Sequence, residues 1–359
     1  MEKKLRVGIL GATGFVGQKL VTLLENHPYF DVALLAASER SKGMTYEKAI
    51  DGRWKMDISV PEYAKKFIVE DLKDIEEIKK HVDFVFCAVN MKKEEIKEIE
   101  EAYAKAEIPV VSNNSAHRMT EDVPVIIPEI NSNHLELIES QRKRLGTKKG
   151  FIVAKPNCSI QSYVPAITPL MDFEPSQLVV STYQAISGAG KLPEDWPEMT
   201  DNVIPYIGGE EEKSEVEPLK VWGTVEDGKV QFNKDIKISA QCIRVPVTNG
   251  HLATVSVSFK NKPSMEEIKE RWRTFKGIPQ ELELPMAPKQ FIHYFEEDNR
   301  PQTKVDRDLE KGMAVSVGRL REDNIFQYKF VCLSHNILRG AAGGALLTAE
   351  LLYKKGYLE

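Results

Sequence analysis

The chain has 359 residues, of which 42% are hydrophobic and 29% are charged, a balance typical of a globular protein with two domains. Its 49 basic and 54 acidic residues give a formal net charge of −5, and the absence of a Lys/Arg-rich block argues against a nucleic-acid partner. The longest apolar runs, such as Phe84–Val89, are too short to span a membrane, and four scattered cysteines give no disulfide framework. A strand-like run follows Met1 almost at once and leaves no room for a signal peptide, so we expect a soluble, cytoplasmic protein.

The first 110 residues alternate between short apolar runs and amphipathic segments. In chain order the predicted elements are strand Leu5–Leu10, helix Phe15–Asn26, strand Asp31–Ala37, strand Val82–Val89, helix Lys92–Glu107 and strand Ile108–Ser112. Nearly continuous apolar strands separated by helices predict a parallel, Rossmann-like sheet that is covered on both faces.

After about residue 150 the pattern changes to longer alternating strands. The predicted elements are strands Gln177–Ala185, His251–Lys260, Met313–Gly318 and Phe326–Leu333, with helix Met265–Phe275 between them. The period of two along His251–Lys260 predicts an antiparallel, half-covered sheet. Segment 190–217 has no clear periodicity and is either a disordered insertion or a functional loop. Asn336–Tyr357 is rich in Ala and Leu and is predicted to be a helix that packs on the first domain. The predicted domains are therefore 1–156, completed by helix 336–359, and 157–335.

A glycine-rich turn, GATGFVG at Gly11–Gly17, follows the first strand and opens the first helix. In this position the glycines allow a tight turn and the close approach of a pyrophosphate at the helix N-terminus. A plain strand–helix turn is the alternative, but the context favours a dinucleotide site. Its predicted residues are Gly11, Thr13, Gly14, Phe15 and Val16.

The tip of the second predicted strand, Ser38-Glu39-Arg40-Ser41-Lys42, indicates which dinucleotide is bound. Two hydroxyls and two cations suit the 2′-phosphate of NADP, whereas Glu39 could bind the free ribose of NAD. NADP is favoured, with Ser38, Arg40 and Ser41 as its ligands.

Cys158 stands in Pro156-Asn157-Cys158-Ser159, after a short strand and before an apolar segment that is predicted to be helical to about Leu170. A helix N-terminus would stabilise its thiolate and lower the pKa of the thiol. Cys158 is therefore a candidate nucleophile. The remaining cysteines lie in apolar strand patterns and are predicted to be core residues: Cys87, Cys242 and Cys332.

Thiol chemistry needs a base, and His251 is the best candidate because the turn formers Asn249-Gly250 bring it near Arg244. His117 and His335 lie near other candidate site residues and could support them. The remaining histidines are predicted to lie at the surface: His27, His81, His134 and His293. The His and Cys spacings predict no metal site.

Taken together, these motifs resemble the aspartate-semialdehyde dehydrogenase family, and its shorter fungal and archaeal branch most closely. The matching pieces cover essentially the whole chain in the family's order: Gly11–Gly17, Ser112–Met119, Pro156–Ser159, Gln184–Gly190, the Glu-rich loop ending at Lys213, Arg244–His251 and His335–Ala345. The resemblance implies a second, α+β domain of the glyceraldehyde-3-phosphate-dehydrogenase-like type that catalyses and dimerises.

The resemblance also implies a role for each matching residue. Cys158 would form an acyl-thioester, His251 would act as general acid/base, and Gln184 would position the reacting groups. Arg244 would bind the substrate carboxylate and Glu210 its ammonium group, although the run Glu210-Glu211-Glu212 leaves that register open. The other implied ligands are Arg118 and Lys213 for phosphate, and Ser187, Gly188 and Asn336 for NADP.

The implied activity is the NADP-dependent, reversible conversion of L-4-aspartyl phosphate to L-aspartate 4-semialdehyde, in the route to lysine, threonine and methionine, by a homodimer or homotetramer. Malonyl-CoA reductase is an alternative, but its substrate has no amino group to need Arg244 together with Glu210. N-acetyl-glutamyl-phosphate reductase fits the local motifs less well. From other classes, a cysteine hydrolase leaves the nucleotide turn unexplained, and a non-redox NADP-binding sensor leaves the thiol–imidazole pair unexplained.

Overall fold

The computed structural model describes residues 3–358 of the chain. Its strands are β1 (Leu5–Leu10), β2 (Phe30–Ala37), β3 (Val69–Asp71), β4 (Phe84–Cys87), β5 (Val110–Ser112), β6 (Ile152–Ala154), β7 (Pro175–Gln184), β8 (Thr224–Glu226), β9 (Lys229–Gln231), β10 (Lys237–Arg244), β11 (His251–Phe259), β12 (Ile292–Phe295), β13 (Val315–Glu322) and β14 (Tyr328–Ser334). Its α-helices are α1 (Phe15–Leu23), α2 (Tyr46–Ala49), α3 (Glu62–Lys65), α4 (Ile75–Ile78), α5 (Lys93–Lys105), α6 (Leu137–Leu145), α7 (Tyr163–Ile167), α8 (Glu210–Val221), α9 (Met265–Thr274), α10 (Ile278–Glu281), α11 (Thr303–Asp306), α12 (Leu309–Gly312) and α13 (Gly343–Lys354).

The first sheet has the strand order β3-β2-β1-β4-β5-β6, and each neighbouring pair is parallel. This confirms the predicted Rossmann-like sheet. The strand order reverses between β1 and β4, so a crevice opens there beyond the carboxyl ends of both strands, where such sheets bind ligands.

The second sheet has the order β10-β7-β11-β14-β13-β12. The prediction of an antiparallel sheet is wrong in part, since β7 pairs with β10 and β12 with β13 in parallel. The predicted half-covered character is confirmed by β11, in which buried and partly exposed residues alternate along the strand. The alternating sequence pattern shows that every second residue is buried. Parallel and antiparallel strands both have this period of two, so the pattern does not give the direction of the neighbouring strand.

The C-terminal segment packs on the first sheet, as predicted. The helix α13 buries Leu346 and Leu351 in the same apolar cluster as Val7 and Ile9 of β1. It starts later than predicted, because Leu338–Ala342 forms a π-helical turn before α13. The predicted division at 156/157 and 335/336 stays a prediction. Within residues 3–358 no helix is long and apolar enough to cross a membrane.

Segment 190–217 is more regular than its sequence indicated. Pro193–Asp195 and Pro197–Met199 form 3-10 turns, and α8 begins at Glu210. The helix was missed because its outer face is highly charged and because Pro218 lies inside it.

Candidate active site

The turn that joins β1 to α1 has two positions, Gly11 and Gly17, at which no side chain would fit. At Gly11, where φ is +84°, a Cβ would lie 2.5 Å from the carbonyl oxygen of Ala88, and at Gly17 a Cβ would lie 2.2 Å from the carbonyl oxygen of Gly11. At Gly14 the nearest protein atom to a Cβ would be at 3.4 Å, so this glycine leaves room on the cavity side. The helix α1 begins there without a side-chain cap or an acidic residue in its first turn, which suits an anionic ligand.

A cavity of about 510 Å³ opens beside this turn. It is lined by Gly11, Thr13, Gly14, Ala37, Ser38, Glu39, Arg40, Asp71, Leu72, Lys73, Ala88, Val89, Asn90 and Met91. The cavity lies where the strand order reverses between β1 and β4, which is the usual dinucleotide position in such sheets. Its size and the presence of both an uncapped helix start and Arg40 also fit a dinucleotide.

One of the three predicted ligands of the 2′-phosphate, Ser41, lies elsewhere, and the neighbouring cation Lys42 is engaged by another group. Ser41 is buried and does not line the cavity, because the chain turns away in a 3-10 turn whose Ser41 N–H donates to the Ser38 carbonyl. Lys42 forms an ion pair with Asp74. Ser38 and Arg40 remain on the cavity wall together with Glu39.

A second cavity, of about 320 Å³, gathers most of the other predicted site residues. Its wall contains Phe15, Val16, Asn113, Arg118, Asn157, Cys158, Gln184, Ser187, Gly188, Gly190, Ile207, Glu210, Arg244, Asn336, Ile337, Gly340 and Ala341. Phe15 and Val16, which open α1, lie on this wall while Thr13 and Gly14 line the first cavity. The start of α1 therefore borders both cavities.

The second sheet brings distant residues to one edge. Gln184 and Arg244 end two parallel strands and are register partners. His251 begins the antiparallel strand β11, whose Leu252 is paired with Tyr183. Asn336 follows the end of β14, the other neighbour of β11. Strand pairing thus collects at one place four side chains that are up to 152 positions apart in the sequence.

Cys158 and His251 form a thiol–imidazole pair, with 3.5 Å between Sγ and Nε2. Burial, reinforced by the Arg244 guanidinium, lowers the pKa of His251 to about 3. Removal from bulk water, reinforced by the Glu210 carboxylate, raises the pKa of Cys158 to about 11. The expected lowering of the thiol pKa by a helix N-terminus is wrong, because Cys158 precedes only a three-residue 3-10 turn, Ser159–Gln161.

Arg244 is held beside this pair. Its Nη1 donates to the carbonyl oxygen of Ala185 at 2.7 Å. Gly188 faces both groups: a Cβ there would lie 2.7 Å from Nη1 of Arg244 and 3.0 Å from Nε2 of His251. A side chain at this position would therefore crowd both the guanidinium, which lines the cavity, and the imidazole, which is buried behind the wall.

Glu210, the first residue of α8, points into the cavity with three polar partners. Asn157 Nδ2 donates to both carboxylate oxygens at 3.0 and 3.1 Å, and Gln184 Nε2 donates to Oε2 at 3.4 Å. Lys213, one helical turn later, forms an ion pair with Oε1 at 2.7 Å and is about one-third exposed. Of the three residues in the run Glu210-Glu211-Glu212, Glu210 is therefore the one that lines the cavity. Lys213 lies next to Glu210 but is not part of the cavity wall.

Arg118 lies on the cavity wall and forms an ion pair with Glu217, a buried residue of α8. Arg118 Nη1 donates to Glu217 Oε1 at 2.9 Å, and the N–H of Asn157 donates to Oε2 at 2.6 Å. Glu217 was not identified as a site residue from the sequence. Its position seven residues, or two helical turns, after Glu210 places it on the same helix face and was the available signal.

Asn113 was missed as well, although it stands in the motif that contains Arg118. Both side-chain polar atoms of Asn113 are buried and have no hydrogen-bond partner among residues 3–358. Since Asn113 lines the cavity, its amide is available to a bound polar group.

Asn336 forms hydrogen bonds that connect the part of the cavity wall near His251. Its Nδ2 donates to Ser187 Oγ at 2.9 Å, and its Oδ1 accepts the N–H of Gly250 at 2.7 Å. Ser187 and Asn336 thus meet on the cavity wall.

The other histidines lie away from both cavities. His117 bonds Thr120, and His335 Nδ1 accepts the N–H groups of Ile337 and Leu338 where the C-terminal helical segment begins. The predicted surface placement is wrong for two buried histidines, since His27 bonds Glu350 and His134 bonds Asn131. In the described part of the chain, no three His, Cys, Asp or Glu residues are grouped to hold a metal ion.

The core cysteines are placed as predicted, since Cys87, Cys242 and Cys332 are fully buried.

A Rossmann-like dinucleotide cavity next to a cysteine–histidine pair defines an NAD(P)-dependent oxidoreductase that reacts through a thiol.

Comparison with known proteins gives the family. Residues 6–138 match the family model described as semialdehyde dehydrogenase, NAD binding domain, and residues 167–339 match semialdehyde dehydrogenase, dimerisation domain. The chain belongs to the aspartate-semialdehyde dehydrogenase family, which confirms the resemblance seen in its motifs.

Individual relatives match over their whole length. The aspartate-semialdehyde dehydrogenase of Archaeoglobus fulgidus is 44% identical over 97% of this chain and 98% of its own, and that of Saccharomyces cerevisiae is 39% identical over 100% of both. The crystal structure of aspartate semialdehyde dehydrogenase with NADP from Candida albicans has a TM-score of 0.89 at 37% identity, and the match covers 99% of this chain and 100% of that one.

Proposed function

We propose that the protein catalyses the reversible, NADP-dependent reductive dephosphorylation of L-4-aspartyl phosphate to L-aspartate 4-semialdehyde, the reaction that leads towards lysine, threonine and methionine. The observation that carries this proposal is the cavity wall on which Cys158, Arg244, Glu210 and Arg118 meet. It joins a nucleophile to separate charged groups for a carboxylate, an ammonium group and a phosphate.

Substrate recognition follows from these charges. The guanidinium of Arg244 presents a planar fork to the substrate α-carboxylate. Glu210 receives the α-ammonium group. Arg118 on the cavity wall and Lys213, which is paired with Glu210, bind the phosphate, and two cations suit its double negative charge better than one.

The first chemical step is acyl transfer to Cys158. The sulfur attacks the acyl carbon, the C–O bond to phosphate breaks, and a thioester forms with loss of inorganic phosphate. Gln184 lies beside the pair and orients the acyl group, and the Asn113 amide has free donors for the developing negative charge.

The second step reduces the thioester. NADPH, when held by the glycine turn and the second cavity wall, would supply the hydride for this reduction. The C–S bond then breaks, which releases the aldehyde and returns the sulfur to its thiolate form. His251 lies within hydrogen-bond distance of the sulfur and stabilises that thiolate as it leaves.

Nucleotide binding spans both cavities. The first turn of α1 and the glycine turn receive the pyrophosphate. Ser38 and Arg40 receive the 2′-phosphate, which favours NADP over NAD. On the second cavity wall, Ser187, Gly188 and Asn336 receive the nicotinamide end.

We also infer a homodimer or a homotetramer that assembles through the outer face of the second sheet. Val179 on that face is 41% exposed in the single chain, and alternate residues of β7 share the face. The four cysteines are all free thiols, which suits a reducing, cytoplasmic location.

The test of the proposed activity is NADPH formation from NADP⁺, aspartate semialdehyde and phosphate, followed by nicotinamide absorbance. We expect formation that depends on phosphate and is slower with NAD⁺. No formation with phosphate present, together with NADPH oxidation by malonyl-CoA, would contradict the proposal.

Replacement of Arg244 by leucine tests the carboxylate clamp. Because charge-assisted hydrogen bonds would be lost, we expect the KM for aspartate semialdehyde to rise roughly 10- to 100-fold while the KM for NADP⁺ changes little. Arg244→Lys is the matched control, since it keeps the charge without the fork, and should give an intermediate KM. An unchanged semialdehyde KM in Arg244→Leu would remove Arg244 from substrate binding.

A further inference from the structure

Glu217 is a buried carboxylate of α8 that the proposed reaction leaves without a role. Its side chain is 1% exposed, and each of its oxygens accepts one hydrogen bond. Nη1 of Arg118 donates to Oε1 at 2.9 Å, and the backbone N–H of Asn157 donates to Oε2 at 2.6 Å. A single side chain therefore joins a cation on the cavity wall to the residue that precedes the nucleophile Cys158.

The guanidinium of Arg118 is held at three points and keeps part of its fork free. Besides the bond to Glu217, its Nε donates to the carbonyl oxygen of Lys155 at 2.9 Å and its Nη2 to that of Asn113 at 3.2 Å. A guanidinium has five N–H groups, so two of them, one on Nη1 and one on Nη2, have no acceptor within residues 3–358. Since Arg118 lines the cavity, these two groups are available to the oxygens of a bound anion.

Of the three acceptors that hold Arg118, the carboxylate of Glu217 is the charged one, and the other two are backbone carbonyls. Charge-assisted hydrogen bonds are about twice as strong as neutral ones. The side chains of the ion pair are only 9% and 1% exposed, so water competes little with this bond. The position of the guanidinium therefore depends mainly on Glu217.

The second oxygen of this carboxylate supports the segment that carries the nucleophile. Asn157 is buried between β6 and a 3-10 turn, outside any helix or strand, and the bond to α8 satisfies its N–H. Two more residues of α8, Glu210 and Ser214, bond to the side chains of Asn157 and Ser159. They lie seven and three residues before Glu217 on the same helix face, so this face holds the residues on both sides of the nucleophile.

We propose that Glu217 is a positioning residue for phosphate: its carboxylate holds the Arg118 guanidinium at a fixed place relative to the acyl group on Cys158. Arg118 lies in the connection that follows β5 and Cys158 in the connection that follows β6, and the carboxylate from α8 bonds to both connections at once. The inference rests on the proposed role of Arg118 as a phosphate ligand.

Two simpler roles for the same carboxylate predict different effects of Glu217→Gln on phosphate binding. If Glu217 were only a counter-charge for Arg118, its removal would make the cavity more positive and phosphate would bind more tightly. If it only supported the fold, the phosphate affinity would not change. A positioning role predicts weaker binding, because an amide has one acceptor oxygen and cannot accept from Arg118 and Asn157 through separate oxygens.

The test is isothermal titration calorimetry of the full chain with inorganic phosphate, at an ionic strength held constant with chloride. For Glu217→Gln we expect the Kd for phosphate to rise roughly 10- to 100-fold over that of the wild-type protein, as for the loss of a hydrogen bond to a charged group. An unchanged or lower Kd in this variant would overturn the inference, and so would a wild-type protein that binds no phosphate.

Glu350→Gln is the matched control. Glu350 is another fully buried carboxylate that bonds one side chain and one backbone N–H: its Oε1 lies 2.9 Å from His27 Nε2, and its Oε2 accepts the N–H of Met286 at 3.0 Å. It lines neither the dinucleotide cavity nor the cavity of Cys158. Its replacement should lower the melting temperature without changing the Kd for phosphate, and an equal rise in that Kd would overturn the inference.

Glu217→Asp covers the case in which the glutamine variant does not fold. It keeps the charge but shortens the side chain by one methylene, so it cannot reach both donors, and we expect the Kd for phosphate to rise here too. An unchanged Kd would overturn the inference. In the activity assay, both variants should raise the KM for phosphate while the KM for aspartate semialdehyde changes little.

The calorimetric result is independent of the proposed reaction, because it needs neither aspartate semialdehyde nor NADP⁺. Weaker phosphate binding in the Glu217 variants of a protein that forms no NADPH would support the positioning role and contradict the proposed function. Phosphate-dependent NADPH formation with an unchanged phosphate Kd in those variants would do the reverse.

Discussion

Cys158→Ala should reduce turnover by at least about 10⁴-fold while NADPH binds as in the wild-type protein. The substitution removes the sulfur that forms the thioester but keeps the Cβ that packs over Gly340. The dinucleotide cavity at the glycine turn does not include Cys158. Steady-state rates and titration of NADPH fluorescence measure the two effects separately.

The matched control is Cys242→Ala, which removes a fully buried thiol from β10. Its turnover should stay close to that of the wild-type protein, apart from a modest loss of stability. Substantial turnover in Cys158→Ala would require another nucleophile, and loss of NADPH affinity would mean that the thiol supports the nucleotide site rather than the reaction.

Local sequence signals predicted the strands β1, β2, β4 and β5 of the first sheet and missed the three-residue strand β3. The strand Leu5–Leu10 was predicted with its observed bounds, because a run rich in aliphatic residues ends at Gly11, whose φ of +84° no other residue readily adopts. The glycine turn that follows this strand was predicted to hold the dinucleotide, and the structure has a cavity beside that turn.

The candidate catalytic site needed the family resemblance as well as the local signals. Cys158, Arg244 and His251 stand in recognisable turn contexts, but their meeting depends on the pairing of β7 with both β10 and β11. Such pairing joins segments many residues apart and leaves no trace in the period of either strand.

Buried polar partners were the main failure of sequence reasoning. Glu217 and His27 look like surface residues in their own segments, and each is buried because it meets a partner far along the chain, Arg118 and Glu350 respectively. The cost of burying a polar group is offset only by its hydrogen bonds, so its burial cannot be predicted until the partner is known.

The same principle gives the largest expected effect on stability, at Arg339 in the π-helical turn. Arg339 Nη1 and Nη2 donate to the two carboxylate oxygens of Glu129 at 2.9 and 2.5 Å, and both side chains are almost fully buried. Arg339→Met would leave the Glu129 charge buried without a partner, at a cost of about 3–5 kcal/mol. We expect the melting temperature, measured at a fixed scan rate, to fall by roughly 4–7 °C.

The double variant Arg339→Met with Glu129→Gln separates the stranded charge from lost packing. Removing both charges should restore much of the melting temperature, because a neutral amide costs less to bury than an unpaired carboxylate. If the double variant is no more stable than Arg339→Met, the loss comes instead from the Nε bond to the Met313 carbonyl and from the packing of the guanidinium on Phe291. Since Gly340 of the same turn packs against Cys158, a loss of turnover in Arg339→Met that persists in the double variant would show that this ion pair also holds the support of the nucleophile in place.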